Sequence, residues 1–226
     1  MAIASPVSQR RTETALLLLT FTTGLIDAVS VLVLGHVFVA NMTGNVVFLG
    51  FWFASHTVVD LTAAVVAFVF FVSGTILGGR LVRHLGGHVR LWIATALGVE
   101  VVLLGVLAIL YGAGVLRYHD DTKLVVIAGL AMAFGVQHST ARQFGIQELT
   151  TTVLTSTIVG IGVDSKLAGG SGARQRLRVG VVATMCLGAL IGATLTRFTV
   201  APILALGAVV VTVSAALFWS GRPGAE

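Results

Sequence analysis

The sequence predicts an all-α integral membrane protein: six transmembrane helices plus two re-entrant half-helices, arranged as two inverted repeats. Three observations lead there. Of 226 residues, 56% are hydrophobic and only 10% are charged, where a soluble domain carries about 25% charged residues. The mean hydropathy is +1.00, and the apolar residues come in stretches near the roughly 20 residues that cross a bilayer. The chain also holds 27 glycines; in lipid, small residues let helix backbones approach closely, which predicts a tight bundle.

Eight apolar segments follow in order, at about 14–35, 40–55, 60–82, 91–115, 122–141, 149–163, 177–196 and 198–219. The first, preceded by Arg10 and Arg11, has the look of a secretory leader. It runs on to Gly35, longer than a leader's apolar core, and so reads as the first membrane helix. The second and sixth are about 15 residues long, short of the roughly 17 to 25 of a full span. Polar residues interrupt both, at Asn41-Met42-Thr43-Gly44-Asn45 and throughout 150–157. The other six are long enough to span.

Loop charge decides what the two short segments do. If all eight crossed, either Arg80, Arg83 and Arg90 or Lys166, Arg174, Arg176 and Arg178 would lie outside, against the positive-inside rule. If segments two and six return to the side they entered from, both termini are cytoplasmic. Only Arg117, Lys123 and Arg197 of the 14 cations then lie outside. This divides the chain into a cytoplasmic tail (1–13), a first membrane repeat (14–116) and a second repeat with a short tail (117–226).

Internal repetition agrees. Gly24-Leu25-Ile26-Asp27-Ala28-Val29-Ser30 recurs weakly as Gly135-Val136-Gln137-His138-Ser139-Thr140-Ala141, at an offset of 111. Thr43-Gly44-Asn45-Val46 has a faint partner in Thr155-Ser156-Thr157-Ile158. Three crossings per half is an odd number, so the second half is inverted relative to the first, a pattern that recurs in secondary transporters.

The polar residues within apolar segments are the candidate site. Asp27 lies inside the first span, where a carboxylate costs about 2.5 kcal/mol or more. It must face the bundle interior, to carry a proton on a pathway or to hydrogen-bond a neighbouring Thr or Asn. His138 occupies the related position in the second half and can change charge near neutral pH; a neutral imidazole on a backbone carbonyl is the competing reading. Gln137 offers hydrogen bonds to a solute or to the next helix. Glu100, midway along the fourth span, is a second proton-site candidate or a buried acid kept neutral by desolvation. Asn41, Thr43, Gly44 and Asn45 open one half-helix, and Thr155, Ser156 and Thr157 open the other. The free amides and positive end of each would point at the midplane, where they suit an anion or a carbonyl. The competing reading is that these groups only satisfy broken backbone and join helices.

Other function classes fall away. A sequence pI near 10.4 raises nucleic acid, but the cations sit in short loops and form no basic face. Cys186 is the one cysteine, so no intrachain disulfide forms, no thiolate metal site is expected, and the residue reads as packing. There is no Walker loop, nucleophile elbow or zinc spacing. Neither catalytic residues, a cofactor nor a metal are expected.

The run Gly24–Asp27, followed by 37–47 with Asn41-Met42-Thr43-Gly44-Asn45 at its centre, resembles the hallmark of the YoaK family. So does Gly135-Val136-Gln137-His138 with the Thr-rich run after it. These are bacterial membrane proteins sharing domain of unknown function 1275. The resemblance covers nearly the whole chain and implies a bacterial cytoplasmic membrane. His138 and Ser156 depart from the pattern, which often has Asn after Gln and Gly after Thr. The expected function is passive or proton-coupled transport of a small polar or anionic solute. A membrane scaffold or assembly partner is the alternative. The expected partners are the lipid bilayer, the solute and, in a homo-oligomer, a second copy of the chain.

Overall fold

The computed structural model describes residues 3–54, 58–117, 121–146 and 154–220. Among these it forms α-helices and no strand: α1 (Gln9–Val33), α2 (Met42–Leu49), α3 (Leu61–Leu85), α4 (Val89–Gly112), α5 (Thr122–Arg142), α6 (Leu154–Val163), α7 (Gln175–Leu195) and α8 (Ala201–Ser220). All but α2 and α6 are long and apolar enough to cross a membrane. α2 runs on into a short 3₁₀ turn, Gly50–Phe53. The polar run 150–152 and the tail with Arg222 lie outside the described residues. α1 starts at Gln9, earlier than the apolar stretch alone indicates. The residues ahead of it are packed, with Val7 buried and the Ile3 N–H donating to the Gln143 carbonyl at 2.7 Å.

Glycine sets the helix pairings. On α1 and α7, Gly24 lies against Met185, Gly188 against Phe21 and Gly192 against Leu25. On α3 and α5, Gly74 lies against Met132, Gly135 against Phe71 and Gly78 against Ser139. At five of these six a Cβ would overlap a backbone carbonyl oxygen of the facing helix, and at Gly78 it would strike the Ser139 hydroxyl. The side chains turned away are large and apolar, among them Phe68, Ile76, Leu187, Leu190 and Val209. Small residues at the helix crossings and large apolar ones on the outer faces is the packing expected where lipid, not water, surrounds the bundle.

Contacts also give each of the six long helices a direction. α8 runs antiparallel to α4, with Ala201 near Gly112 and Gly207 near Leu104. It runs antiparallel to α1 too, since the Ser214 hydroxyl donates to the Ala15 carbonyl while Gly207 faces Thr22 and Ile26. α4 opposes α5, with Leu107 over Gly129 and Glu100 beside Gln137. The short connections after α3 and α7 reverse the chain. Thus α1, α4 and α7 run one way and α3, α5 and α8 the other.

The shared start of α3 and α5 is pinned electrostatically. The Asp60 side chain caps α3 by accepting from the Ala63 N–H at 3.0 Å and meets the Lys123 ammonium at 2.7 Å. Partial burial pushes the Asp60 carboxyl up, but the Lys123 and Ala63 donors outweigh it and hold the group below the ordinary carboxylate range.

Overpacking a tight crossing costs on the order of 1–3 kcal/mol. Gly188→Leu should therefore lower the melting temperature of the detergent-purified protein, whereas Gly105→Ala, with open space around it, should not; equal melting temperatures would show that the crossing is not tight. A carboxyl lowered by folding adds stability above its unfolded pKa of about 3.9. That stability is lost as pH falls through the lowered folded value. Asp60→Asn should flatten part of the melting-temperature decline as pH falls below about 5, and an unchanged profile would contradict the pairing.

Candidate functional site

The chain leaves α1 through a tight turn at Gly35 and His36, both with positive φ, and passes back alongside the helix as far as Asn41. Its amides in this stretch belong to no helix. Asp27, 5% exposed, takes them. One carboxylate oxygen, Oδ1, accepts from the Val39 N–H at 2.8 Å and the Ala40 N–H at 2.9 Å. The other, Oδ2, accepts from the Asn41 N–H at 3.2 Å and from the Asn41 side-chain amide. Four donors satisfy the acid without a cation, and three consecutive amides ahead of a helix form an anion-binding nest. Asn45 clamps the same stretch: its Oδ1 accepts from the Phe38 N–H at 2.9 Å and its Nδ2 donates to the Phe38 carbonyl. Gly44 leaves room for the Phe38 ring, which a Cβ would meet at 2.5 Å. Thr43 is exposed. The anion expected at this helix start is thus supplied by the protein itself.

A second polar group joins α1, α4 and α5. Gln137 Nε2 donates to Glu100 Oε1 at 2.7 Å, and the Thr23 hydroxyl lies 3.2 Å from Gln137 Oε1 while also bonding the Leu19 carbonyl. All three are buried, and Glu100 Oε2 meets no partner among the described residues. His138, on the neighbouring face of α5, donates from Nδ1 to the Phe134 carbonyl at 2.8 Å, since a carbonyl only accepts. Phe71 meets its ring edge-on, with centroids 5.4 Å apart.

Clefts flank this cluster. One of about 430 Å³ lies where α1 meets α7, lined by Asp27, Val31, Leu32, Asn41, Met185 and Ala189 and almost wholly apolar. Cys186 lines it too and is exposed, contrary to the packing role expected of it, because it faces the cleft and not the α1 crossing. Another, of about 560 Å³, lies where α5 meets α3, lined by Thr75, Gly79, His138, Ser139, Arg142 and Gln143. It is the more polar of the two. Since α1 and α5 run in opposite directions and each cleft lies toward the C-terminal end of its helix, the clefts lie toward opposite ends of the bundle.

The expected site residues are therefore divided. Asp27, Asn41 and Asn45 form one unit with Gly44. Gln137 and Glu100 form another, and His138 lines the polar cleft. Ser156 and Thr157 line a smaller cleft of about 270 Å³ beside α7. There Arg178 pairs with Asp164 at 2.6 Å and donates to the Gly160 carbonyl at 2.8 Å, closing the end of α6. Thr157 is buried with its hydroxyl oxygen unpartnered among the described residues, and Thr155 is exposed. α2 packs on α3 while α6 packs on α7. Motif reading left out Thr75, Ser139 and Arg142, although the 111-residue offset that pairs Asp27 with His138 also pairs Val31 with Arg142.

A family model described as "Protein of unknown function (DUF1275)" matches residues 15–217. The chain is 32% identical over 152 residues to "UPF0700 transmembrane protein YoaK" of Bacillus subtilis (strain 168). That match covers 66% of this chain, and the chain spans 65% of the relative's length. No solved structure matches.

Removing the Asp27 acceptors should destabilise in steps. Asp27→Asn turns one acceptor into a donor facing the Asn41 amides, and Asp27→Ala strands three buried N–H groups at about 1–3 kcal/mol each. The melting temperature should fall from wild type to Asn to Ala. An alanine variant as stable as wild type would show that the acid does not hold the stretch.

Proposed function

Because the chain belongs to the DUF1275 family of multi-pass membrane proteins, whose description assigns no activity, we propose a function from geometry: a carrier of a small polar or anionic solute. The observation that carries this reading is the pair of clefts at opposite ends of the bundle, with the buried Thr23–Gln137–Glu100 group between them. A carrier needs access from each side and a closed centre. The two clefts supply the first and the polar group the second.

Helix direction supports the two re-entrant segments. α1 and α3 run oppositely although α2 lies between them, and α5 and α7 do the same around α6, so neither short helix carries the chain across. The pairings support inverted repeats. α1 packs on α7 as α5 packs on α3, α1 on α8 as α5 on α4, and α2 on α3 as α6 on α7. Even the glycines correspond, Gly24 with Gly135, Gly74 with Gly188 and Gly78 with Gly192. Within that frame Asp27 anchors backbone, and Glu100 is the acid at the closed centre, so we assign proton coupling to Glu100 and access to His138. The hallmark's internal bonds favour the scaffold reading, in which nothing moves.

Liposomes holding the purified protein should take up members of a panel of labelled small anions and polar solutes in a saturable manner. Thr75→Trp and Ala193→Trp, which fill the two clefts, should each slow uptake about tenfold or more. Glu100→Gln keeps the acceptor for Gln137 and should leave solute exchange while abolishing its response to an imposed pH gradient. Uptake no faster than in protein-free liposomes, across the whole panel, would favour the scaffold.

A further inference from the structure

We propose that the polar cleft between α3 and α5 binds a small carboxylate whose carbon chain carries a hydroxyl or amino group. This deepens the transport reading and rests on it only for the steps after binding. The inverted frame makes each lining position of one cleft comparable with one in the other. Asp27 answers to His138, Ala28 to Ser139, Val31 to Arg142, and Ala189 to Thr75. Going from the first cleft to the second, a carboxylate disappears and a guanidinium enters. Where the protein holds its own carboxylate, the cleft beside it is apolar; where it holds none, the lining carries the matching charge.

Arg142 ends α5, and its side chain meets no acceptor among the described residues. A second guanidinium borders the same cleft. Arg83 Nη2 lies 3.6 Å from the point where a Cβ on Gly79 would sit, in contact range of a residue that lines the cleft. No acid lines the cleft among the described residues. The lining thus carries a guanidinium with no acid against it among the described residues, and a guanidinium fork matches a carboxylate in two parallel bonds. The remaining groups point to the rest of the ligand. The Thr75 and Ser139 hydroxyls donate to carbonyls of their own helices, at 2.7 and 2.8 Å. What they present to the cleft are oxygens with acceptor capacity. A ligand with a donor beyond its carboxylate satisfies them, and one such as acetate does not. A volume of about 560 Å³ is ample for a molecule of this size.

The test is a titration of the detergent-purified full-length protein with lactate, alanine, acetate, phosphate, sulfate and glycerol, read as melting-temperature shift and by calorimetry. Lactate or alanine should bind saturably, acetate more weakly and glycerol not at all. Arg142→Gln, at an exposed helix end, should keep the melting temperature of the unliganded protein and weaken lactate or alanine about tenfold or more. Ser139→Ala should narrow their advantage over acetate. Phosphate or sulfate binding more tightly than every carboxylate would overturn the assignment, as would carboxylate binding untouched by Arg142→Gln. Binding with no flux in liposomes would sink the transport reading and leave this site standing; flux of solutes indifferent to Arg142 would do the reverse.

Discussion

Inside hydrocarbon a backbone amide has no water to turn to, and each must find an acceptor within the protein. The stretch from Phe38 to Asn41 doubles back beside α1 outside any helix, with four amides that no helical ladder satisfies. Asp27 answers three of them and Asn45 the fourth. The rest of the first half is arranged around that exchange. One turn earlier, Gly24 brings α7 against α1, so the same short motif seats a neighbouring helix and anchors the returning chain. Gly44 admits the Phe38 ring, which stacks on Phe48 at 6.0 Å. Gly24, Asp27, Asn41, Gly44 and Asn45 act together as one mechanical joint.

The second half repeats the placement with different chemistry. Gly135 makes the crossing that Gly24 makes, but His138 stands where an acid would, and its Nδ1 proton is committed to a carbonyl of its own helix. Polarity has moved outward along α5 to Ser139, Arg142 and Gln143. The two clefts thus have unequal linings, one apolar beside the protein's own carboxylate and one that carries a positive charge.

Much of the architecture is legible in the sequence because lipid imposes simple rules. Segment length separates the six long helices from α2 and α6, and Gly24, three residues before Asp27, and Gly135, three before His138, each mark a close helix crossing. The site is legible only in part. Asp27 is marked by the cost of a buried acid, but which donors it meets depends on a turn at Gly35 and His36 that apolar periodicity does not report. Glu100 and Gln137 are far apart in the chain and meet because α4 crosses α5, a contact no spacing encodes. Arg142 reads in the sequence as an ordinary loop cation serving orientation, and its place in a cleft emerges from the packing of α5 on α3. Cys186 faces outward because glycine and alanine occupy the contact side of α7.

Everything functional rests on the two clefts facing opposite sides of one membrane. The direct measurement is labelling in right-side-out and inside-out vesicles with a membrane-impermeant maleimide, using native Cys186 for the first cleft and Ser139→Cys in a Cys186→Ser background for the second. Each thiol should react in one vesicle orientation, and the two orientations should differ. If both thiols react from the same side, the clefts do not form two entrances and the inverted arrangement is wrong.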